Sequence, residues 1–289
     1  MRARLSLVAI LVLGLTKSAS AVDITACGQS VADLDTGVLQ ADLDCSSEGG
    51  DCAFLDYDDE EVACSGDLDC PLPFDFCARA AVRLGAGSAL QLNGHTLTGA
   101  GVLCSDGGTC SVSGPGTIVS APVGILTGKK VVASGLTADG GIYGILTRRG
   151  GAILTDVTLS NNVRDGIWSW RGTIRGSGVV ATGNGGEGVY AKLRPVILKD
   201  ATASNNGGSG VDGSPPRGIN VTAQGNGGAG MISPKGASVV DSTITGNAGG
   251  QGTIDIQCAR RPRFANTICG RSLNTGPNGG GSWGICALD

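Results

Sequence analysis

Trp168, Trp170 and Tyr190 lie within a 23-residue stretch of a 289-residue chain that has only ten aromatic residues. Arg148, Arg149, Arg171 and Lys192 flank them. Flat aromatic faces suit the apolar faces of sugar rings, and cations suit uronate carboxylates or sulfates. The grouping points to a platform for an acidic polysaccharide. Two carboxylates, Asp165 and Glu187, accompany it. Such a pair could serve glycosidic acid/base chemistry or hold a calcium ion; the plainer alternative is solvation, or pairing with Arg164 or Arg148. A lyase acting on uronates needs a base at the sugar C5 proton and a neutraliser for the carboxylate. Lys192, Tyr190 or Arg171 could be the base, and Arg148 or Arg149 the neutraliser. Beyond that calcium option no cofactor is expected, and a zinc site is not indicated, because the eleven cysteines lack C-x-x-C pairs and His95 is the only histidine.

These residues can act together only if the chain folds back on itself at a fixed interval, and the sequence contains one. A glycine followed by an aliphatic residue recurs at Gly101, Gly124, Gly144, Gly166, Gly188, Gly210 and Gly230, with a degenerate copy at Gly252. The step is about 22 residues. Asn162, Asn184, Asn206 and Asn226 stand four before the marker; Asp156, Gly178, Asp200 and Asn220 stand ten before it. Helix is excluded by the absence of a 3.6-residue apolar period and by 51 glycines. Strands too short to pair within one unit must pair with the next unit, which gives a parallel solenoid with one shared core. The asparagines then stack at one turn, and Asn, Asp and Gly accept the positive φ of such bends. "NGGSGVDGS" (206–214) fits a nine-residue calcium-binding repeat, but neighbouring copies place Tyr190 and Ile232 where the ligand Asp212 sits. That match is a coincidence.

Side chains alternate along each strand. One position after the marker stand Ile145, Ile167, Val189, Val211 and Met231, which point inward. The small residues at +3 also point inward. Offsets +2 (Leu146, Trp168, Tyr190, Asp212, Ile232) and +4 (Arg148, Trp170, Lys192) share the outer face. Offset −1 holds Tyr143, Asp165 and Glu187, which puts the two carboxylates on neighbouring turns. An exposed aromatic patch is costly unless something covers it, so a subunit interface is the competing reading. Base stacking on nucleic acid uses the same physics, but export argues against that partner.

The period, the N-N-G-G-x-G-V turns and "LQLNGHTLTGAG" (90–101) resemble right-handed parallel β-helix repeat proteins of the pectate-lyase-like superfamily. "ACGQSVADLDTGVLQADLDC" near the start and "SWGIC" near the end resemble capping segments of secreted bacterial members. The resemblance implies an all-β, single-stranded right-handed parallel β-helix with disulfide-rich terminal caps. It leaves the chemistry open, since the fold hosts lyases, hydrolases, epimerases and adhesins.

Residues 1–21 read as a secretory signal: Arg2 and Arg4, then the apolar run Leu5 to Leu15, then Ala19-Ser20-Ala21. That run is shorter than the roughly 20 residues needed to span a bilayer, and no membrane insertion is expected. The expected organisation is an acidic, cysteine-rich cap and insertion over 22–81, the β-helix over 82–258 and a second cap over 259–289. Cys104–Cys110 is the likeliest local disulfide, Cys269 and Cys286 are candidate partners, and the odd cysteine stays free or pairs between chains. Residues 22–78 hold fifteen acidic side chains and no lysine or arginine; residues 79–289 hold eighteen basic against ten acidic. The basic body favours anionic partners. His95 reads as a structural turn residue, and Asn220-Val221-Thr222 as a glycosylation sequon with meaning only in a eukaryotic host.

Overall fold

The computed structural model describes residues 20–47, 52–55, 61–64, 78–105, 108–249, 253–277 and 279–289. Nearly all of the expected signal segment, and most of the acidic insertion, lie outside the described residues. The chain is a right-handed parallel β-helix. Each coil carries three short strands, and each strand pairs with its counterparts in the coils above and below. One sheet stacks the strands Gly101–Cys104, Val123–Thr127, Tyr143–Thr147, Ile167–Ser169, Val189–Ala191 and Val211–Asp212 in that order. Its register pairs Val102 with Ile125, then Ile145, Ile167, Val189, Val211 and Met231, which is the column expected to point inward. These side chains are at most 1% exposed.

The other two ladders meet at a bend marked by left-handed residues: Gly135, Asp156, Gly178, Asp200, Asn220, Asp241 and Asn266 have φ between 47° and 66°. In two coils the chain crosses this bend as one nine-residue strand, Val196–Ser204 and Pro216–Gln224. The ladders also extend beyond 82–258. Ala21–Ile24 pairs with Thr36–Leu39 at the start, and Ile256–Cys258 pairs with Ser272–Asn274 at the end.

The asparagine ladder holds the cysteine-free middle together. Asn162, Asn184, Asn206 and Asn226 are at most 2% exposed. The Asn162 amide donates to Asn184 Oδ1 at 2.8 Å, Asn184 to Asn206 at 2.9 Å and Asn206 to Asn226 at 3.0 Å. Backbone N–H groups add a second donor to each acceptor. The positive φ falls one residue earlier, on Asn161, Gly183, Asn205 and Gly225, so packing and bending are divided between adjacent positions. The marker glycines are needed for close approach rather than for φ. A Cβ on Gly188 would lie 2.7 Å from Gly210 O and 2.8 Å from Asn206 Nδ2.

Two expectations need correction. The degenerate marker at Gly252 falls outside the described residues, and the register instead pairs Met231 with Ile256, which places Asp255 in the glycine column. Asn247 thereby becomes a fifth rung. It donates from both its backbone N and Nδ2 to Asp255 Oδ1, at 3.1 and 2.9 Å. Second, the outward-pointing residues of the earlier coils are not exposed. Leu103, Val123, Leu126, Tyr143 and Leu146 form a separate buried cluster outside the sheet, because alternation fixes which way a side chain points but not what covers it.

Disulfides join Cys27–Cys45, Cys104–Cys110 and Cys269–Cys286. Cys258 is a free thiol, buried at the last coil. His95 Nδ1 sits 3.3 Å from Asp42 Oδ1, a contact between turns of adjacent coils. No helix among the described residues is long and apolar enough to cross a membrane.

Candidate functional site

Strand pairing sets Leu146 beside Trp168, Trp168 beside Tyr190, and Tyr190 beside Asp212. The ring centroids of Trp168 and Tyr190 are 6.5 Å apart. Trp170 meets Trp168 edge-on, at 5.5 Å and 68°. All three rings are half-buried. The corner after each strand is held by the same ladder, with Trp170 N donating to Thr147 O and Lys192 N to Ser169 O. Lys192 Nζ consequently lies 3.5 Å from the Trp170 ring centroid, within the range of cation–π attraction. Arg171 N donates to Arg148 O. Arg148 is half-buried at this corner, whereas Arg149 and Arg171 are exposed. Lys192 is thus a cation over a ring of the patch, and Arg164 Cζ lies 5.8 Å from the Tyr143 ring centroid.

Tyr143 joins this group unexpectedly. Its ring lies 6.3 Å from Trp168, and its hydroxyl accepts a hydrogen bond from Arg164 at 3.0 Å. Burial raises its pKa, opposed by Arg164. Arg164 is thus engaged with Tyr143 rather than serving only as an exposed counter-ion.

Asp165 and Glu187 do sit on neighbouring turns, but the solvated reading fails for Asp165. It is 7% exposed, and its Oδ1 accepts the Glu187 N–H at 2.8 Å. Burial, then the adjacent Glu187 carboxyl, pushes the Asp165 pKa up to about 8. Burial and the charge of Glu187 also push Asp212 up to about 7. Sequence reasoning weighed Asp212 only against a calcium repeat, yet its offset directly follows Trp168 and Tyr190. The Tyr190 phenol is raised to about 12 by burial, then by Asp212, Glu187 and Asp165. A phenol so placed keeps its proton, which suits hydrogen-bond donation and not the role of base. Among the described residues no three carboxylate, thiol or imidazole side chains converge to hold a metal ion.

A groove of about 330 Å³ continues from the aromatic patch toward the last coils. Tyr190, Lys192, Asp212, Ile232, Ser233, Pro234, Gln257 and Thr275 line it. Aromatic and cationic groups and the Asp212 carboxyl thus share one outer face and open onto a trough crossing several coils.

No family model matches the sequence, and no curated protein sequence matches it. Solved structures with a similar backbone path include a double mutant of the periplasmic alginate epimerase AlgG, with 12% identity and a TM-score of 0.49. That match covers 67% of this chain, which spans 58% of the epimerase. Another is the A-module of the Azotobacter vinelandii mannuronan C-5 epimerase AlgE4, with 14% identity over 86% of this chain and 81% of that one, and a TM-score of 0.46. A third is pectate lyase Pel9A, with 13% identity over 86% and 74%, and a TM-score of 0.44. At such identities the likeness is one of coiled backbone alone.

Proposed function

We propose that this is an exported protein whose outer face around Trp168, Trp170, Tyr190 and Lys192 binds an acidic polysaccharide. The observation that carries the reading is the Lys192 ammonium 3.5 Å over the Trp170 ring, beside Trp168 and Tyr190, at the mouth of the groove. Rings supply stacking surfaces for sugar faces, and the ammonium supplies a partner for their carboxylates. The disulfides among the described residues agree with an oxidising compartment. If the site turns over its ligand, the Asp165 carboxyl and the Tyr190 phenol are the proton donors, and the Lys192 ammonium neutralises the sugar carboxylate.

The test is calorimetric titration with oligouronates of wild type, Trp170→Ala and Lys192→Gln. Both variants should weaken binding about tenfold, equivalent to about 1.4 kcal/mol, while keeping the wild-type Tm. Equal affinity in all three proteins refutes the platform. A stable dimer without any glycan signal would favour the interface reading instead. Release of an unsaturated sugar from polyuronate, followed by absorbance, tests the lyase option directly.

A further inference from the structure

The three corners of the coil carry different charges. The corner leading out of the aromatic sheet reads "GKK" (128–130), "RRGG" (148–151), "WRGT" (170–173), "KLRP" (192–195), "GSP" (213–215), "PKGA" (234–237) and "ARRP" (259–262). Over seven successive coils it holds ten lysines or arginines and no acidic residue. Acidic side chains collect at the left-handed bend instead, on Asp156, Asp200 and Asp241.

Backbone hydrogen bonds carry the parallel ladder through the basic corner. Arg149 N donates to Gly128 O, Arg171 N to Arg148 O, Lys192 N to Ser169 O and Ser214 N to Arg194 O. The Arg194 guanidinium reaches back to Arg171 O at 3.3 Å. The corners are therefore stacked about one strand spacing apart, six of the seven carry cations, and the row extends about 29 Å along the coil axis. Like charges directly opposite one another on adjacent strands destabilise a sheet. Among the described residues, no carboxylate lies within ion-pair distance of Lys129, Arg171, Arg194, Lys235 or Arg260, and all five are exposed. Their mutual repulsion is left for a bound polyanion to relieve.

We infer that this corner is an axial ridge that holds a linear anionic polysaccharide parallel to the coil axis, over a length well beyond the aromatic patch. The inference takes its polymer class from the function proposed above, but its residues at both ends, Lys129 and Lys130 at one and Arg260 and Arg261 at the other, lie outside that patch. A one-dimensional row at strand spacing matches a linear chain better than a lipid surface, because only Leu193 offers an exposed large apolar side chain within it.

The experiment compares long and short fractions of polyuronate, with a sulfated polysaccharide as a second arm, at 50 and 200 mM salt. The variants are Lys129→Glu/Lys130→Glu, Arg260→Glu/Arg261→Glu and, as a control at the other corner, Asp200→Lys. Each end variant should lose about tenfold in affinity for the long polymer at low salt, with a shallower salt dependence as fewer counterions are released. Short oligomers should bind each end variant as they bind wild type, and Asp200→Lys should not weaken the long polymer. Unchanged long-polymer affinity in both end variants overturns the ridge, as does binding of anionic vesicles or duplex DNA in place of either polysaccharide. Failure of the aromatic platform is read separately: Trp170→Ala would then leave short-oligomer binding intact, whatever the end variants do.

Discussion

Replacing Asn206 by alanine isolates what the ladder contributes. The Asn206 side chain is 2% exposed and makes four hydrogen bonds. It donates to Ala181 O at 3.1 Å and to Asn226 Oδ1 at 3.0 Å, and it accepts from Asn184 N and Asn184 Nδ2. Asn226 Oδ1 keeps a donor in the variant, because Asn206 N still reaches it. Two groups lose their partner, the Asn184 backbone N–H and one Asn184 amide hydrogen, and the Ala181 carbonyl keeps only its ladder bond. Each stranded buried group costs about 1–3 kcal/mol, and water entering the vacated space recovers part of that. A net loss of about 2–4 kcal/mol follows, which for a chain of this size, at about 2 °C per kcal/mol, lowers Tm by about 4–8 °C. The control is Asn205→Gly one residue earlier, where the side chain is exposed and φ is 57°. Glycine tolerates that φ, and the change should stay within about 0.5 kcal/mol. Urea unfolding followed by far-UV circular dichroism measures both. If Asn206→Ala costs less than about 1 kcal/mol, or no more than Asn205→Gly, the ladder is not what stabilises the cysteine-free coils.

Three further outcomes follow from the same structure. Asp165 and Asp212 hold their protons in the folded chain up to about pH 8 and 7, against 3.8 unfolded, so the folded state binds more protons between those values. Their contribution to stability is full below about pH 4 and is lost as pH rises to 7–8. Asp165→Asn, which keeps the oxygen that accepts Glu187 N–H, should therefore stabilise the protein at pH 8 by more than about 1 kcal/mol and have little effect at pH 4; equal effects at both would contradict the assignment. Cys258 is buried, and its thiol is pushed up to about 12. It should resist alkylation at pH 8 in the native protein and react once the chain is unfolded in urea. Asp255 accepts four N–H donors, from the Asn247 backbone and amide and from Gly270 and Arg271. Asp255→Asn would turn one amide NH₂ toward donors and should cost about 2 kcal/mol or more, visible as a lower urea midpoint.

The coil and its register were legible because each 22-residue unit repeats three separate requirements: a buried asparagine, a glycine under a neighbouring carbonyl, and an inward aliphatic. Any one alone would have been ambiguous; Gly188, Asn184 and Val189 together are not. The pairing of Trp168 with Tyr190 followed directly from that register. At the last coil the reading slipped, because Asn247 and Asp255 are eight apart where earlier rungs stand four before their marker, and Gly252 offered a false one. The burial of Tyr143, Leu126 and Leu146 was hidden for a different reason. Periodicity reports the direction of a side chain relative to its own sheet, and contacts made across the outside of that sheet leave no period. Burial also decided the protonation of Asp165, so its chemistry could not be read from spacing.

The ladder has a direction. From rung to rung each amide gives one hydrogen to the next side-chain oxygen toward the C-terminus and receives from the rung before it, starting at the Gly141 N–H and stopping at the Asp255 carboxylate, whose second oxygen closes on Gly270 and Arg271. Both terminal partners are therefore indifferent to how many identical steps lie between them. Duplicating one whole block, such as residues 184–205, would lengthen the molecule by a single storey and leave its two ends chemically intact. An insertion that does not make a whole coil, which takes 20 to 22 residues between the existing rungs, would have to be looped out. Growth of such a molecule is quantised, and its reach along a polymer can be extended in units of one storey without redesigning the rest.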